Sequence, residues 1–224
     1  RQFLKHVVIN EGITFVDSLN GSSMLSVTLP ESVTYINGYA FSNCSNLISV
    51  NIPTSVTYIG DCAFSGCSSL TSMAIPESVE HIGIGVFYQC SNLAEIILAE
   101  SNPHFKLQDG ILYTANFDRL LSCPARYEGE VIIPEGVTRI DDCAFAYCSG
   151  LTAVTIPEGA SSIGSSTFTG CSGLTSITIP EGITAIGGSM FGGCINLVDV
   201  QLPQSVTYIG MRAFDGCSSL TNIN

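Results

Sequence analysis

The strongest constraint on this chain is an internal repeat of 23 residues. Proline recurs with this spacing in two runs, from Pro30 to Pro76 and from Pro134 to Pro203. Other residues keep fixed distances from each proline, and the unit reads L-x-x-V-x-I-P-x-x-V-x-x-I-G-x-x-A-F-x-x-C-x-x. A fixed period of about 20–50 residues is typical of solenoids and related repeat architectures. The sequence therefore predicts a stack of similar rungs.

Two columns of the repeat each consist of one residue type. The phenylalanine column comprises Phe41, Phe64, Phe87, Phe145, Phe168, Phe191 and Phe214. The cysteine column, three residues further on in each unit, comprises Cys44, Cys67, Cys90, Cys148, Cys171, Cys194 and Cys217. Because both columns recur with the period of the fold, we expect them to point into a continuous core.

Each segment of the unit predicts a local structure. The alternation Val-x-Ile indicates a strand, which the following proline ends because it cannot donate to a sheet. Val-x-x-Ile-Gly indicates a second short strand, and Ala-Phe-x-x-Cys a tight turn or 3₁₀ segment. One rung buries apolar groups worth about 10–15 kcal/mol, whereas ordering its backbone costs about 1–2 kcal/mol per residue. Rungs are therefore stable only when stacked, and the predicted fold is mainly β with short 3₁₀ or turn segments.

Two rungs depart from the pattern. The first, residues 7–26, lacks Ala-Phe-x-x-Cys and is a degenerate rung. Leu98 and Ile133 hold the same repeat position but are 35 residues apart, so this rung carries twelve extra residues. We expect a protruding hairpin-like insert at about 101–127, with two strands joined by a polar turn at 115–118.

The repeats predict one solenoid over residues 1–224, with nine to ten rungs. The last repeat stops partway, at Leu220, without the polar cap that a solenoid end needs. The chain is therefore interpreted as a piece of a longer protein. Its start, Arg1 to Asn10, has no apolar region followed by a cleavage site of the signal-peptide type.

Charge and hydropathy exclude two classes of partner. Seven Lys and Arg stand against nineteen Asp and Glu, for a net charge of -12. No basic stripe is available for phosphates, so we expect neither nucleic acid nor anionic lipid as a partner. Since no apolar run reaches about 18 residues, we expect no membrane insertion.

The reactive side chains do not form a catalytic or metal-binding pattern. Stacked cysteines lie about 4.8 Å apart, beyond the roughly 3.5–4.5 Å between the Cβ atoms of a relaxed disulfide. We therefore expect buried thiols that act as small hydrophobes. The chain has no CxxC pair and no Gly-x-Ser-x-Gly, and its three histidines, His6, His81 and His104, are scattered. The sequence predicts no cofactor, no metal site and no enzymatic activity.

A column of acidic residues follows the repeat proline. It comprises Glu31, Glu77, Glu135, Glu158 and Glu181. A solvated edge that keeps the protein soluble is the favoured interpretation. Binding of calcium or of a basic partner by this column stays open.

The outward positions of the strands are where a solenoid usually binds its partner. Most of these positions hold small polar residues, but Ile97 and Ile132 interrupt them. The predicted protein-binding residues are Ile97, Ile132, Glu95 and Glu130, with Tyr113 and Phe117 of the insert as further exposed anchors. Packing of the two isoleucines under the hairpin is the alternative.

The repeat resembles a known family. Ile-Pro-Glu-Gly-Val-Thr-x-Ile with Ala-Phe-x-x-Cys, and the insert Asn-Pro-x-Phe…Asp-Gly-Ile-Leu-Tyr…Pro, are similar to BspA-like leucine-rich repeats. The resemblance implies a right-handed leucine-rich repeat solenoid. It also implies a surface or secreted protein of host-associated bacteria or some protozoa. An adhesin-like module at the cell surface or outside the cell, binding a host or bacterial surface or matrix protein or a glycan, is the expected function. A structural spacer that presents other domains is the alternative.

Overall fold

The computed structural model describes residues 6–224. Residues 1–5, part of the N-terminal segment considered above for a signal peptide, lie outside the described residues. From residue 6 to residue 224 the chain consists of strands and turns and has no helix, so none of these residues belongs to a helix able to cross a membrane. This confirms the predicted β solenoid. Two compact units form, one ending at Ala115 and the other beginning at Asn116.

Each repeat of the first unit contributes two strands. The first strands lie at the Val-x-Ile segment or its equivalent and are β1 (His6–Val8), β3 (Ser26–Thr28), β5 (Ser49–Asn51), β7 (Ser72–Ile75) and β9 (Glu95–Leu98). The second strands lie at the end of the Val-x-x-Ile segment or its equivalent and are β2 (Phe15–Val16), β4 (Tyr35–Ile36), β6 (Tyr58–Ile59) and β8 (His81–Ile82). All pair in parallel, in the orders β1-β3-β5, β7-β9 and β2-β4-β6-β8. Val27 lies opposite Val50 and Ile36 opposite Ile59, so equivalent residues stack.

The second unit repeats this arrangement. Its first strands are β13 (Glu128–Ile132), β15 (Gly150–Thr155), β17 (Ser176–Thr178), β19 (Asp199–Gln201) and β21 (Asn222–Ile223). Its second strands are β12 (Arg119–Ser122), β14 (Arg139–Ile140), β16 (Ser162–Ile163), β18 (Ala185–Ile186) and β20 (Tyr208–Ile209). Parallel pairing joins β13 with β15, β17 with β19 and β21, β12 with β14 and β16, and β18 with β20.

The Ala-Phe-x-x-Cys segment is a run of turns that also hydrogen-bonds from rung to rung. Within one rung the Cys44 amide donates to the Phe41 carbonyl at 3.1 Å. Between rungs the Phe41 amide donates to the Ala63 carbonyl at 2.8 Å, and the Phe64 amide to the Val86 carbonyl at 3.0 Å. The backbone groups of this corner are thus satisfied without a helix.

The phenylalanine column lies at the centre of the core. The Phe41 and Phe64 rings stack with centroids 5.2 Å apart, and Phe168 stacks between Phe145 at 5.5 Å and Phe191 at 5.6 Å. These five side chains are fully buried. Stacked rings add about 0.5–1.5 kcal/mol per pair beyond the burial of their surface. The column therefore couples each rung to its neighbours.

The glycine of the Ile-Gly pair is required by the close approach of rungs. A Cβ atom at Gly83 would lie 2.3 Å from the backbone nitrogen of Asp61, and one at Gly164 would lie 2.3 Å from that of Asp142. Both distances are shorter than real Cβ contacts, so a side chain would push the rungs apart. Close backbone approach therefore explains why glycine recurs here.

The insert contains one strand and one hairpin turn more than predicted. Strands β10 (Phe105–Gln108) and β11 (Ile111–Thr114) form an antiparallel hairpin that turns at Asp109 and Gly110. Residues 115–118 also form a turn, between the end of β11 at Thr114 and the start of β12 at Arg119, as predicted. Asp109 and Gly110 have φ of 52° and 77°, and Asp-Gly is a strong signal for a turn that needs positive φ at both residues.

The hairpin also does not protrude as a solvated arm. Phe105, Ile111, Leu112 and Tyr113 are buried. Burial of so many apolar side chains in so short a segment stabilises it as part of the core. The hairpin of β10 and β11 therefore extends the core of the first unit, and the prediction of a protruding hairpin is wrong.

Candidate interaction surface

In the first unit, Ile97 lies on the outward face of a first strand. It is in β9, opposite Ala74 of β7, and 47% of its surface is exposed. Glu95, two residues earlier and on the same face, is also exposed and lies opposite Ser72. The inward neighbour Ile96 is 2% exposed. Ile97 is thus an apolar side chain beside a carboxylate on a face of small polar residues.

In the second unit, Ile132 occupies the equivalent outward position. It is in β13, opposite Thr155 of β15, and is 73% exposed. Glu130 is exposed and follows a register shift between Gly129 and Glu130, and its carbonyl accepts a hydrogen bond from the Tyr127 hydroxyl at 3.2 Å. The alternative in which the two isoleucines pack under the hairpin is contradicted, because each remains exposed in its own unit.

The two aromatic residues of the insert do not form an exposed pair of anchors. Tyr113 is 1% exposed in β11, so its predicted exposure is wrong. Three successive residues of β11 are buried, which shows that this strand is covered on both faces. Phe117, in the second unit, is partly buried, with a φ of 58°. The insert breaks the repeat, and inward and outward positions could not be assigned there by period.

The rest of the first-strand face in the second unit is polar and shallow. A groove of about 320 Å³ runs along β15 and β17, and Thr155, Thr178, Glu158 and Pro180 line it. Thr155 and Thr178 are exposed on neighbouring strands, as is Gln201 beyond them. This region offers hydrogen-bonding groups and little apolar area.

The acidic column is exposed along both units. Its members Glu31, Glu77, Glu135, Glu158 and Glu181 are all exposed to solvent. Two of them accept hydrogen bonds from the following rung, Glu31 from Thr54 at 3.2 Å and Glu77 from Ser101 at 2.5 Å. Within residues 6–224, no three His, Cys, Asp or Glu side chains are grouped so as to hold a metal ion. Single carboxylates bonded to hydroxyl groups are consistent with a solvated edge.

The cysteine column has a role that the sequence did not reveal. The Cys67 thiol donates to the Phe41 carbonyl at 3.2 Å, and the Cys194 thiol to the Phe168 carbonyl at 3.1 Å. Each thiol thus satisfies a carbonyl of the preceding rung. All ten cysteines are free thiols, and Cys67 and Cys194 are fully buried. Burial raises the pKa of the Cys194 thiol to about 12, so the thiol is protonated and a weak nucleophile.

The second strands of the first unit present an aromatic strip, defined here as Phe15, Tyr35, Tyr58 and His81. These residues lie opposite one another on β2, β4, β6 and β8. The Tyr35 and Tyr58 ring centroids are 5.6 Å apart, and Tyr58 and His81 stack at 4.4 Å. The signal that could have found the strip is an aromatic residue before an aliphatic one at the same position of four repeats, three of them in a Thr-aromatic-aliphatic triplet.

A buried carboxylate joins two arginines on the second strands of the second unit. Asp141 is 1% exposed, and its Oδ1 lies 2.6 Å from Nε of Arg119 and 3.2 Å from Nε of Arg139. Arg119 and Arg139 are opposite each other on β12 and β14. The arginines keep the carboxylate paired where solvent does not reach it. The cluster fixes β12 against the regular rungs.

Comparison with known proteins agrees with this architecture. The family model for the BspA type leucine-rich repeat region matches in six copies over residues 7–117 and 128–224. The crystal structure of the pneumococcal vaccine antigen PcpA has a TM-score of 0.84 and 26% identity, covering 90% of this chain and 51% of that one. This chain thus spans about half the length of PcpA.

Two further solved structures share the fold. A leucine-rich repeat protein from Eubacterium ventriosum has a TM-score of 0.71 and 24% identity, covering 98% of this chain and 72% of that one. A leucine rich cell surface protein from Faecalibacterium prausnitzii has a TM-score of 0.55 and 25% identity, and the match covers 98% of this chain and 87% of that one. Among curated proteins, no sequence matches this chain. The repeat, its stacked rungs and the family match together show that the chain belongs to the BspA-type leucine-rich repeat family.

Proposed function

We propose that this chain is a non-catalytic protein-binding module of a cell-surface or secreted leucine-rich repeat protein, with an adhesin-like role. Membership of the BspA-type family supports this proposal. Two proteins of similar structure are described as a vaccine antigen and as a cell surface protein. An extracellular or surface location follows from the same likeness and is part of the proposal.

The exposed isoleucines on the first strands are the observation that carries the proposal. Ile97 and Ile132 are 47% and 73% exposed, whereas the solvent-facing positions around them are mostly polar. Exposed apolar side chains within a polar rim are typical of interaction sites. A few such anchors supply most of the binding free energy of an interface. Glu95 and Glu130 supply the charged rim in each unit.

Binding to purified host-cell and matrix proteins tests the proposal directly. Surface plasmon resonance would compare the wild type with Ile97→Asp, Ile132→Asp and the double variant. A charge buried in an apolar contact disfavours binding, so we expect the double variant to lose at least about 2 kcal/mol of binding free energy. Thr178→Asp with Gln201→Asp is the matched control, because it adds the same charge to exposed first-strand positions. Circular dichroism on every variant confirms the fold.

The outcomes separate this function from its alternatives. If the double isoleucine variant binds as the wild type does, the two isoleucines are not the recognition surface. Absence of binding to every protein and to a glycan array would instead favour the structural spacer. Binding confined to the glycan array would change the class of partner from protein to carbohydrate.

A further inference from the structure

The aromatic strip is a surface that includes neither Ile97 nor Ile132. Phe15 is 56% exposed and Tyr35 is 48% exposed, Tyr58 is partly exposed, and His81 is exposed. The residues are in direct register on four consecutive parallel strands. Aromatic side chains exposed in a continuous row are uncommon on a soluble protein and indicate an interaction site.

The fold does not require rings at this position. In the second unit the same repeat position holds Ser162 on β16 and Ala185 on β18. Both strands pair in the regular parallel register, Ser162 with Arg139 and Ala185 with Tyr208. Because the same register forms with serine and alanine, the parallel pairing of the second strands does not depend on rings at this position.

Contacts between the rings make the strip rigid. The Tyr58 and His81 rings stack nearly parallel, with 6° between their planes and 4.4 Å between their centroids, and the Tyr35 ring is tilted by 36° against Tyr58. Rings held by their neighbours lose little conformational entropy when a ligand binds, since tyrosine has few rotatable bonds. The strip is therefore preorganised as a contact surface.

The charge of the first unit indicates the partner. Residues 6–115 contain nine carboxylates and one lysine or arginine, Lys106, besides three histidines. The nine are Glu11, Asp17, Glu31, Asp61, Glu77, Glu80, Glu95, Glu100 and Asp109, and every one is exposed. Glu80 directly precedes His81, and Asp17 lies two residues after Phe15. Such a field attracts cations and repels acidic partners.

We propose that the aromatic strip is a docking surface for a basic segment of a partner protein. Arginine or lysine side chains of that segment would lie against the rings, where cations are attracted by the π-system. The surrounding carboxylates would supply the longer-range attraction. The inference rests on the proposed protein-binding function, adds a second surface to it, and specifies the chemistry of the partner.

A labelled peptide of alternating arginine and glycine is the probe. Fluorescence anisotropy would compare the wild type with Tyr35→Ser plus Tyr58→Ser, which leaves the net charge unchanged. The double variant removes two rings that would each contact a cation, so we expect it to bind about tenfold more weakly. Tyr208→Ser in the second unit is the control and should bind as the wild type does. Salt should weaken binding by the wild type, because the carboxylates are exposed to solvent.

Two further results decide whether the aromatic rings or another property of the surface binds the peptide. Tyr35→Leu with Tyr58→Leu keeps apolar volume but removes the π-systems, and we expect it to weaken binding as the serine variant does. Equal binding by the wild type and both double variants would overturn the inference, because net charge alone would then explain the attraction. No binding of the peptide to the wild type would also overturn it.

The outcome of the peptide experiment is independent of the test of Ile97 and Ile132. If the arginine peptide fails to bind while a matrix protein binds through Ile97 and Ile132, only the aromatic-strip inference is wrong. If a neutral oligosaccharide binds and is lost in the Tyr35→Ser plus Tyr58→Ser variant, the strip is a binding site but its partner is not a basic segment. Circular dichroism melts of all variants show whether a loss of binding reflects unfolding.

Discussion

A single residue of the phenylalanine column carries contacts to two neighbouring rungs. Phe168 is fully buried and stacks on Phe145 and Phe191. Phe168→Ala should reduce the free energy of unfolding by about 3–5 kcal/mol, since it removes apolar burial and leaves a cavity. Urea denaturation measures this loss. An exposed control, Thr178→Ala, should change stability little, and an unchanged midpoint for Phe168→Ala would contradict a buried column.

Buried thiols make stability depend on pH. Burial raises the pKa of Cys90 and of Cys194 from 9.0 to about 12. A raised pKa means that the folded state keeps its proton where the unfolded state loses it. This stabilisation is complete below pH 9.0 and is lost as the pH rises through about 12.

The pH dependence is measured by urea denaturation in the presence of reductant. The free energy of unfolding should fall above pH 9.0, by up to about 1.4 kcal/mol per pH unit for each thiol. The Cys194→Ala variant should show a shallower fall than the wild type. The same slope in both proteins would mean that Cys194 is not protonated inside the core.

The burial of a side chain could be predicted where the repeat period holds and not elsewhere. Phe168 and Cys194 recur with the repeat, so their burial follows from sequence alone. Tyr113 lies in the insert, where no period assigns it a face, and its burial depends on the turn at Asp109 and Gly110. Asp141 pairs with Arg119 across 22 residues, a contact that no local pattern indicates.

At the scale of the element, the second strand depends on glycine after it. A Cβ at Gly83 would meet the Asp61 backbone at 2.3 Å, whereas one at Gly136 would have its nearest neighbour at an ordinary 3.5 Å. Gly83→Ala should therefore cost about 1–3 kcal/mol through overpacking, and Gly136→Ala should cost much less. Thermal melts of both variants check this. Equal melting temperatures for the two variants would show that the close approach of the rungs does not require glycine at position 83.

Some structural elements could be predicted from the sequence and others could not. Strand, proline, strand and turn follow one another in every regular repeat because each residue type has a local backbone preference. The turn at 115–118 was predicted from its polar residues, whereas the turn at Asp109 and Gly110 was missed although Asp-Gly is a strong turn signal. The aromatic strip was missed because outward positions were considered on the first strands and not on the second.

On the scale of the whole molecule, the repeat predicts the family and not the ligand. Stacking of the rungs depends on their inward side chains. The outward side chains can therefore differ between proteins that bind different partners. Ile97 and Ile132 stand out by contrast with polar neighbours, which is a weaker signal than a period. The fold could therefore be predicted almost completely, whereas the interaction surface rests on the exposure that the structure gives to each side chain.

Hydrogen exchange with a bound partner tests the central claim, that the exposed first strands recognise protein. The protein of the matrix panel that binds most tightly would be added at saturation, and amide exchange followed by mass spectrometry. Protection should increase in β9 around Ile97 or in β13 around Ile132, and β17 and β19 should exchange as in the free chain. Protection confined to the turn segments, with β9 and β13 unchanged, would contradict the claim.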